Sequence, residues 1–256
     1  VASDLNTITL TTHNTGDDDS HATIVNTGAV KFAASSVDGN LDVTATTGDI
    51  TQTGALAITG TTTLLTSAVG ADIDLSTTTN AFTGALTITT NDNTDYEAHA
   101  TIDGGTTALI IAASTIDGDL TLTSGHNNST RHAITDSGTV TLGGNLSATT
   151  DANNGNITLD QLALASGKTI ALITNDDAGD NTGHATVKNT TALNLALSTI
   201  DGNFSGTATN GSISQTGNLN ITGTATFITT ANNSDIILSQ SGNVFGAQVT
   251  MQAGNG

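Results

Sequence analysis

The stretch Gly48–Gly60, GDITQTGALAITG, decides the fold because the chain writes it twice. Gly211–Gly223 reads GSISQTGNLNITG, 163 residues further on. Within the phrase, Leu56-Ala-Ile58 sets two apolar side chains two residues apart, and glycines interrupt it at positions 48, 54 and 60. Alternation of this kind sends apolar side chains to one face of a strand and polar ones to the other. Glycine between such pieces supplies turns. The second copy keeps Ile, Gln, Leu, Ile and all three Gly while replacing Asp49, Ala55 and Ala57. The phrase therefore reads as scaffold: Ile50, Leu56 and Ile58 point inward, Gly48, Gly54 and Gly60 turn a coil, and Gln52 ties that coil to the next.

The repeat extends outward in both directions. Residues 21–88 align with 184–251 without a gap, and 34 of the 68 positions are identical. HATIVNT recurs as HATVKNT, SSVDGNL as STIDGNF, and ADIDLS as SDIILS. A fainter echo lies between the copies, with HATI at His99–Ile102 and STIDGDL at Ser114–Leu120, and a shorter one runs from His132 to Leu146. The chain thus repeats on two levels, a long period of 163 residues and a looser internal one.

Composition narrows the class. Among 256 residues there is no Pro, Cys or Trp, and there are one Tyr and five Phe; 36% are apolar. The core must then be built from Ile, Leu, Val and Ala, which suits a narrow stack of small side chains. Disorder is the first alternative at a net charge of −19. The recurring alternation, the lack of Pro and the single Glu, Glu97, argue against it. Lys31, Arg131, Lys168 and Lys188 are the only Lys or Arg and are scattered, which excludes nucleic acid as a partner. No apolar run reaches membrane-spanning length. The chain opens at Val1 without a signal-peptide pattern and reads as a mature product or a piece of something longer.

Strand-sized units at Leu41, Ile50, Leu56 and Leu64 follow one another too closely for a sandwich. They predict an all-β parallel solenoid, one continuous segment over residues 1–256, with short strands and loop excursions. Leu41, Leu64, Leu86 and Leu109 stand 22 to 23 residues apart, which predicts the coil length. About seven coils then fill 163 residues, and about eleven make a rod roughly 50 Å long at the strand spacing. No capped helix is expected; the nearest candidate, Gln161–Lys168, is short.

GDITQTGALAITGTTTL, followed by Asn80-Ala-Phe82-Thr-Gly84-Ala-Leu86, resembles the repeats of filamentous-haemagglutinin-like exoproteins and giant autotransporter adhesins of bacteria. The resemblance covers Val37–Ile88 and Ile200–Val249. The second copy departs at its end, where Asn243-Val-Phe245-Gly-Ala247 moves the glycine forward. It implies a right-handed parallel β-helix, secretion and a role at the cell surface.

Three clusters of carboxylates precede HAT units: Asp17, Asp18 and Asp19; Asp92, Asp95 and Glu97; Asp176, Asp177 and Asp180. Crowded carboxylates suit Ca²⁺, which takes six to eight oxygens, so calcium is the candidate cofactor there. A solvated loop kept soluble by its charge is the alternative. EF-hand and calcium-roll spacings are absent, and the fourth excursion, 126–131, lacks the acids. His21, His99, His132 and His184 are 78, 33 and 52 residues apart, not whole coils, so a zinc column is not expected and a polar strand entry is. Gln52 and Gln215 are expected to bond neighbouring backbone, Asn80 and Asn243 to stack or cap a turn, and Asp38, Asp117 and Asp201 to serve the fold.

No carboxylate pair with a basic residue and a sugar platform marks an enzyme. Asp72 and Asp74 come nearest, and Asp74 becomes Ile237 in the second copy. Thr87-Ile-Thr89, Thr121-Leu-Thr123 and Thr139-Val-Thr141 do not recur at one interval, which disfavours a flat ice-binding array. The sequence is read as a structural segment of an extracellular surface fibre or adhesin stalk, associating with itself end to end or within a longer repeat chain and meeting a host or neighbouring-cell receptor. The runner-up is a subunit of a self-assembling extracellular filament or sheath. A polysaccharide-active β-helix enzyme is the minor alternative.

Overall fold

The computed structural model describes residues 7–13, 20–93, 97–126, 132–175 and 182–254. Among these the chain forms 28 strands and no helix. Strand pairs with its counterpart one coil away, in parallel, giving sheets of 13, 12 and 3 strands. The result is a β-solenoid of about nine turns, whose longest ladder passes through eleven strands. None of the described residues lies in a helix long and apolar enough to cross a membrane.

Alternation builds the core. In Leu41–Ala45 the residues Leu41, Val43 and Ala45 are buried and Asp42 is exposed. Ile50, Leu56 and Ile58 are buried in turn. Inward side chains of successive coils meet in one contiguous cluster from Val30 to Phe227. The stretch that came nearest to a helix in sequence is strand, Asn156–Leu164.

Coil length is not constant. Ala22 pairs with Leu41, Leu41 with Thr62, Thr62 with Leu86 and Leu86 with Ile111, steps of 19, 21, 24 and 25 residues. Leu64 therefore lies between Val43 and Ile88, not in line with Leu41 and Leu86 as a fixed step of 22 to 23 would place it. Register follows which side chains face inward, and corner loops absorb the difference in count. Seven pairings nevertheless separate Ala22–Asn26 from Ala185–Asn189, so the 163-residue period is seven coils.

Each coil has one single strand and one bent pair of short strands. At first the single strands Ala22–Asn26, Leu41–Ala45 and Thr62–Val69 stack on the largest sheet. The bent pairs Val30–Phe32 with Ser35–Val37, and Ile50–Gln52 with Leu56–Ile58, lie opposite. From Leu86–Asn91 onward the sides exchange. Ala100–Asp103, Leu120–Ser124, Leu146–Asn153 and Ile170–Asn175 are now the single strands on the second sheet. Leu109–Ile111 with Ser114–Ile116, and His132–Asp136 with Val140–Leu142, become the pairs on the largest. At Ala185–Asn189 the arrangement returns to the first. One unit is thus three and a half coils, and each successive unit is turned by half a coil. Two units restore the phase, which is why the strong repeat is seven coils long and the intermediate echo is faint.

The glycines of the opening phrase act by closeness. None of Gly48, Gly54 and Gly60 has a left-handed φ. A Cβ on Gly54 would stand 2.5 Å from the backbone N of Ala34 in the preceding coil. These positions let coils touch at a corner; they do not supply a special turn conformation.

Candidate functional site

The HAT histidines are built into rows of side-chain acceptors that cap the entries of strands. Before the second sheet, Asp49 Oδ1 accepts from Asp72 N at 2.9 Å, and Asp72 Oδ1 accepts from His99 N at 2.8 Å. His99 Nδ1 accepts from Asp119 N at 2.9 Å, Asp119 Oδ1 from Asn145 N at 2.5 Å, and Asn145 Oδ1 from Thr169 N at 2.9 Å. Before the largest sheet, His21 Nδ1 accepts from Asn40 N and Asn40 Oδ1 from Thr61 N. His184 Nδ1 and Asn203 Oδ1 do the same for Asn203 N and Thr224 N. Imidazole, carboxylate and amide are interchangeable here because each offers one acceptor to the N–H a coil away. His132 differs: its Nδ1 meets Thr158 Oγ1 at 2.8 Å. His21 and His184 stand on one sheet and His99 on another, so the histidines form no common column.

Around His99 this row opens into a cleft of about 360 Å³, lined by Asp72, Asp74, His99, Thr101, Asp119 and Thr121. Glu97 joins it: ligand-type atoms of Glu97, His99 and Asp119 lie within 4.8 Å of one another. Glu97 Oε2 is 3.7 Å from His99 Nε2, and Glu97 Oε1 is 3.9 Å from Lys168 Nζ. Since Nδ1 accepts a backbone proton, the neutral imidazole carries its own proton on Nε2 and points it toward Glu97. In that tautomer His99 is a donor and not a metal ligand. A hard cation is left with Glu97 and Asp119, short of its usual oxygens. Sequence reasoning missed Asp119 because the cluster joins residues of different coils.

A second cleft, about 490 Å³, includes Phe82, Thr107, Ile110, His126 and His132 in its lining. His126 Nδ1 lies 3.3 Å from Thr106 O, and its Nε2 is buried without a partner.

Of the acidic candidates, Asp17, Asp18, Asp19, Asp95, Asp176, Asp177 and Asp180 lie outside the described residues. Asp92 Oδ1 accepts from Asn93 N at 2.6 Å, and Asp92 N donates to Asp117 Oδ2 at 2.8 Å. The necks of the three excursions share one device. The hydroxyls of Thr12, Thr90 and Thr174 donate to the carbonyls of Ser20, Ala98 and Gly183, at 2.8, 2.9 and 2.6 Å. Each also accepts from the next coil, from Asp38 N, Asp117 N and Asp201 N respectively. The signal was present, a Thr nine or ten residues before each of these His, but hidden among many Thr. The half-coil rotation puts consecutive excursions on opposite edges: the first and third enter the largest sheet, at His21 and His184, and the second enters the other, at His99.

Gln52 and Asn80 form a reciprocal amide pair. Gln52 Nε2 donates to Asn80 Oδ1 at 2.8 Å, and Asn80 Nδ2 donates to Gln52 Oε1 at 2.9 Å. Asn80 Oδ1 also accepts from Leu56 N, and Nδ2 donates to Asp103 O, so one buried amide joins three coils. Gln215 and Asn243 repeat the pair at 2.8 and 2.9 Å, with Leu219 N on Asn243 Oδ1.

A family model described as repeats of unknown function (DUF5649) matches residues 19–89, 97–173 and 182–252. These are the three half-turn-related units of the solenoid. No curated protein and no solved structure matches the chain.

Proposed function

We propose a mechanical function for this chain, which belongs to the DUF5649 family of repeats of unknown function: it is a structural segment of an extracellular surface fibre or adhesin stalk. The observation that carries the reading is the unbroken ladder of eleven strands over a single aliphatic core. Stability in such a stack sums over neighbouring coils, so the rod extends by repetition. The side chains that recur between units are spent on caps, necks and coil-to-coil amides, which leaves catalysis without a dedicated constellation. We take the chain to be non-catalytic. The resemblance to bacterial surface exoproteins supports the extracellular placement and a receptor on a host or neighbouring cell. Labelling of intact cells by an antibody against the chain tests the placement; labelling only after lysis would overturn it.

The runner-up, a self-assembling filament, is favoured by the two open ends of the stack. Half-buried Ile8, Leu10, Ala22 and Ile24 stand at one end, and Ile236, Leu238, Phe245 and Val249 at the other. Calcium enters the proposal as a counter-ion of the acidic excursions. A melting scan with and without chelator reads it, and an unchanged midpoint removes calcium from the account.

A further inference from the structure

We propose that residues 7–12 are a removable cap on the first coil, and that strand Val249–Gln252 of a second copy takes their place, joining copies head to tail. The proposal rests on the filament form of the reading above. One site under the bent pair of each unit is filled three times in the chain. Leu86–Asn91 fills it with Leu86 beside Ile111 and Thr89 beside Thr115. Ile170–Asn175 fills it with Ile170 beside Leu195 and Ile173 beside Thr199. Residues 8–11 fill it with Ile8 beside Phe32 and Thr11 beside Ser36. The phrases correspond: ITLTT at 8–12, LTITT at 86–90, IALIT at 170–174, and VTMQA at 249–253.

The fourth phrase has the strand but not the site. Val249–Gln252 pairs through four positions with Ala225–Thr229, and no described residue pairs with its outer edge. Met251 is 52% exposed where its counterparts Ile88 and Leu172 are fully buried. Ile237 and Val244, exposed by 52% and 56%, belong to the same last coil. Residues 8–11 show the converse. They have the bent pair above them but, among the described residues, no strand below, and two isolated bridges hold them in place of a full ladder.

The two ends are halves of an interface that appears intact twice within the chain. Ala33 N donates to Ile8 O at 2.8 Å and Leu10 N to Ser35 Oγ at 3.0 Å. Ala112 N on Leu86 O at 2.8 Å and Ile88 N on Ser114 Oγ at 3.0 Å are the same bonds inside the rod. After exchange, Val249 O and Met251 N of the incoming copy take these two roles. Val249–Gln252 is already ordered by its inner neighbour, so its docking loses little conformational freedom. Like the internal units, the second copy is then turned by half a coil. At −19 per copy, salt screening favours the union.

The chain contains no Cys, so disulfide trapping reads the contact directly. Ser36 and Gln252 are both exposed and become neighbouring rungs in the exchanged pair. One preparation carries Ser36→Cys and the other Gln252→Cys; the two are mixed in high salt with a mild oxidant. The expected result is a mixed disulfide dimer in several-fold higher yield than with Thr121→Cys as the partner of Gln252→Cys. Thr11→Cys with Ser36→Cys in one chain locks the cap, and sedimentation should then show monomer where the reduced protein assembles. Equal yields for the two mixtures, or assembly unaffected by the locked cap, overturn the exchange. Solution scattering of the same samples separates the two levels: a rod without trapping sinks the exchange alone, whereas a compact particle sinks the fibre reading with it.

Discussion

At the scale of single residues, the two in-phase units act as each other's mutants. Leu41 and Val43 become Phe204 and Gly206. A Cβ on Gly206 would stand 2.7 Å from the Phe204 ring, so the larger side chain occupies the room that Val43 fills in the other unit. Leu41→Phe alone should overpack the core and cost about 1–3 kcal/mol. Adding Val43→Gly should recover much of that, a coupling that a double-mutant cycle of denaturant midpoints measures. Thr62 carries a buried hydroxyl without a partner, and its counterpart is the buried Ala225. Thr62→Ala should raise stability by about 1 kcal/mol, since it removes an unsatisfied oxygen; a lowered melting midpoint would contradict this. Asp103 is buried, and that burial raises its pKa above the ordinary 3.8, with nearby Asp151 adding to the rise. The folded state thus holds the proton more tightly than the unfolded one. The penalty of ionisation is absent below about 3.8 and grows as pH rises through the folded value. Asn keeps the oxygen that accepts from Gly105 N, so Asp103→Asn should raise the midpoint at pH 7 and leave it unchanged near pH 3.

At the scale of elements, His99→Asn should be tolerated and His99→Ala should cost about 1 kcal/mol, because the row needs an acceptor and already uses Asn145 for the same work. Equal loss from both substitutions would show that the imidazole does something an amide cannot. The strands themselves were legible: Leu41, Val43 and Ala45, or Leu56 and Ile58, announce a face by alternation alone. Their register was not. Leu64 looked like the partner of Leu41 by count, and it pairs with Val43 because inward facing outweighs spacing. The neck threonines and Asp119 were illegible for a related reason. Their meaning lies in the coil above or below, and a linear reading sees only a Thr among Thr or an Asp among Asp. His99 was read as a polar strand entry, but its proton acceptance from Asp119 N needed the neighbouring coil to be seen.

At the scale of the whole molecule, the half-coil rotation decides what can be removed. The long period was visible in sequence because the first and third units share a phase. The rotation of the middle unit was not, because nothing in HATI at His99 says which sheet it enters. The segment 8–12 precedes His21 as 86–90 precedes His99, each ending in a Thr that clamps the neck nine residues before the His. Excising residues 21–98 therefore joins Ser20 to His99 across an equivalent neck, and all later units turn together by half a coil. The shortened chain should fold, melt cooperatively and lose about 17 Å of rod length, three and a half coils at roughly 4.8 Å each. Excising only residues 21–32 removes half a coil from within a unit and leaves Ser35–Val37 without the single strand that precedes its pair. That chain should expose apolar surface and melt at a clearly lower temperature. Solution scattering and thermal melts of the two deletions check this. If the large deletion were the less stable of the two, the unit of folding would be the coil and not the half-turn repeat.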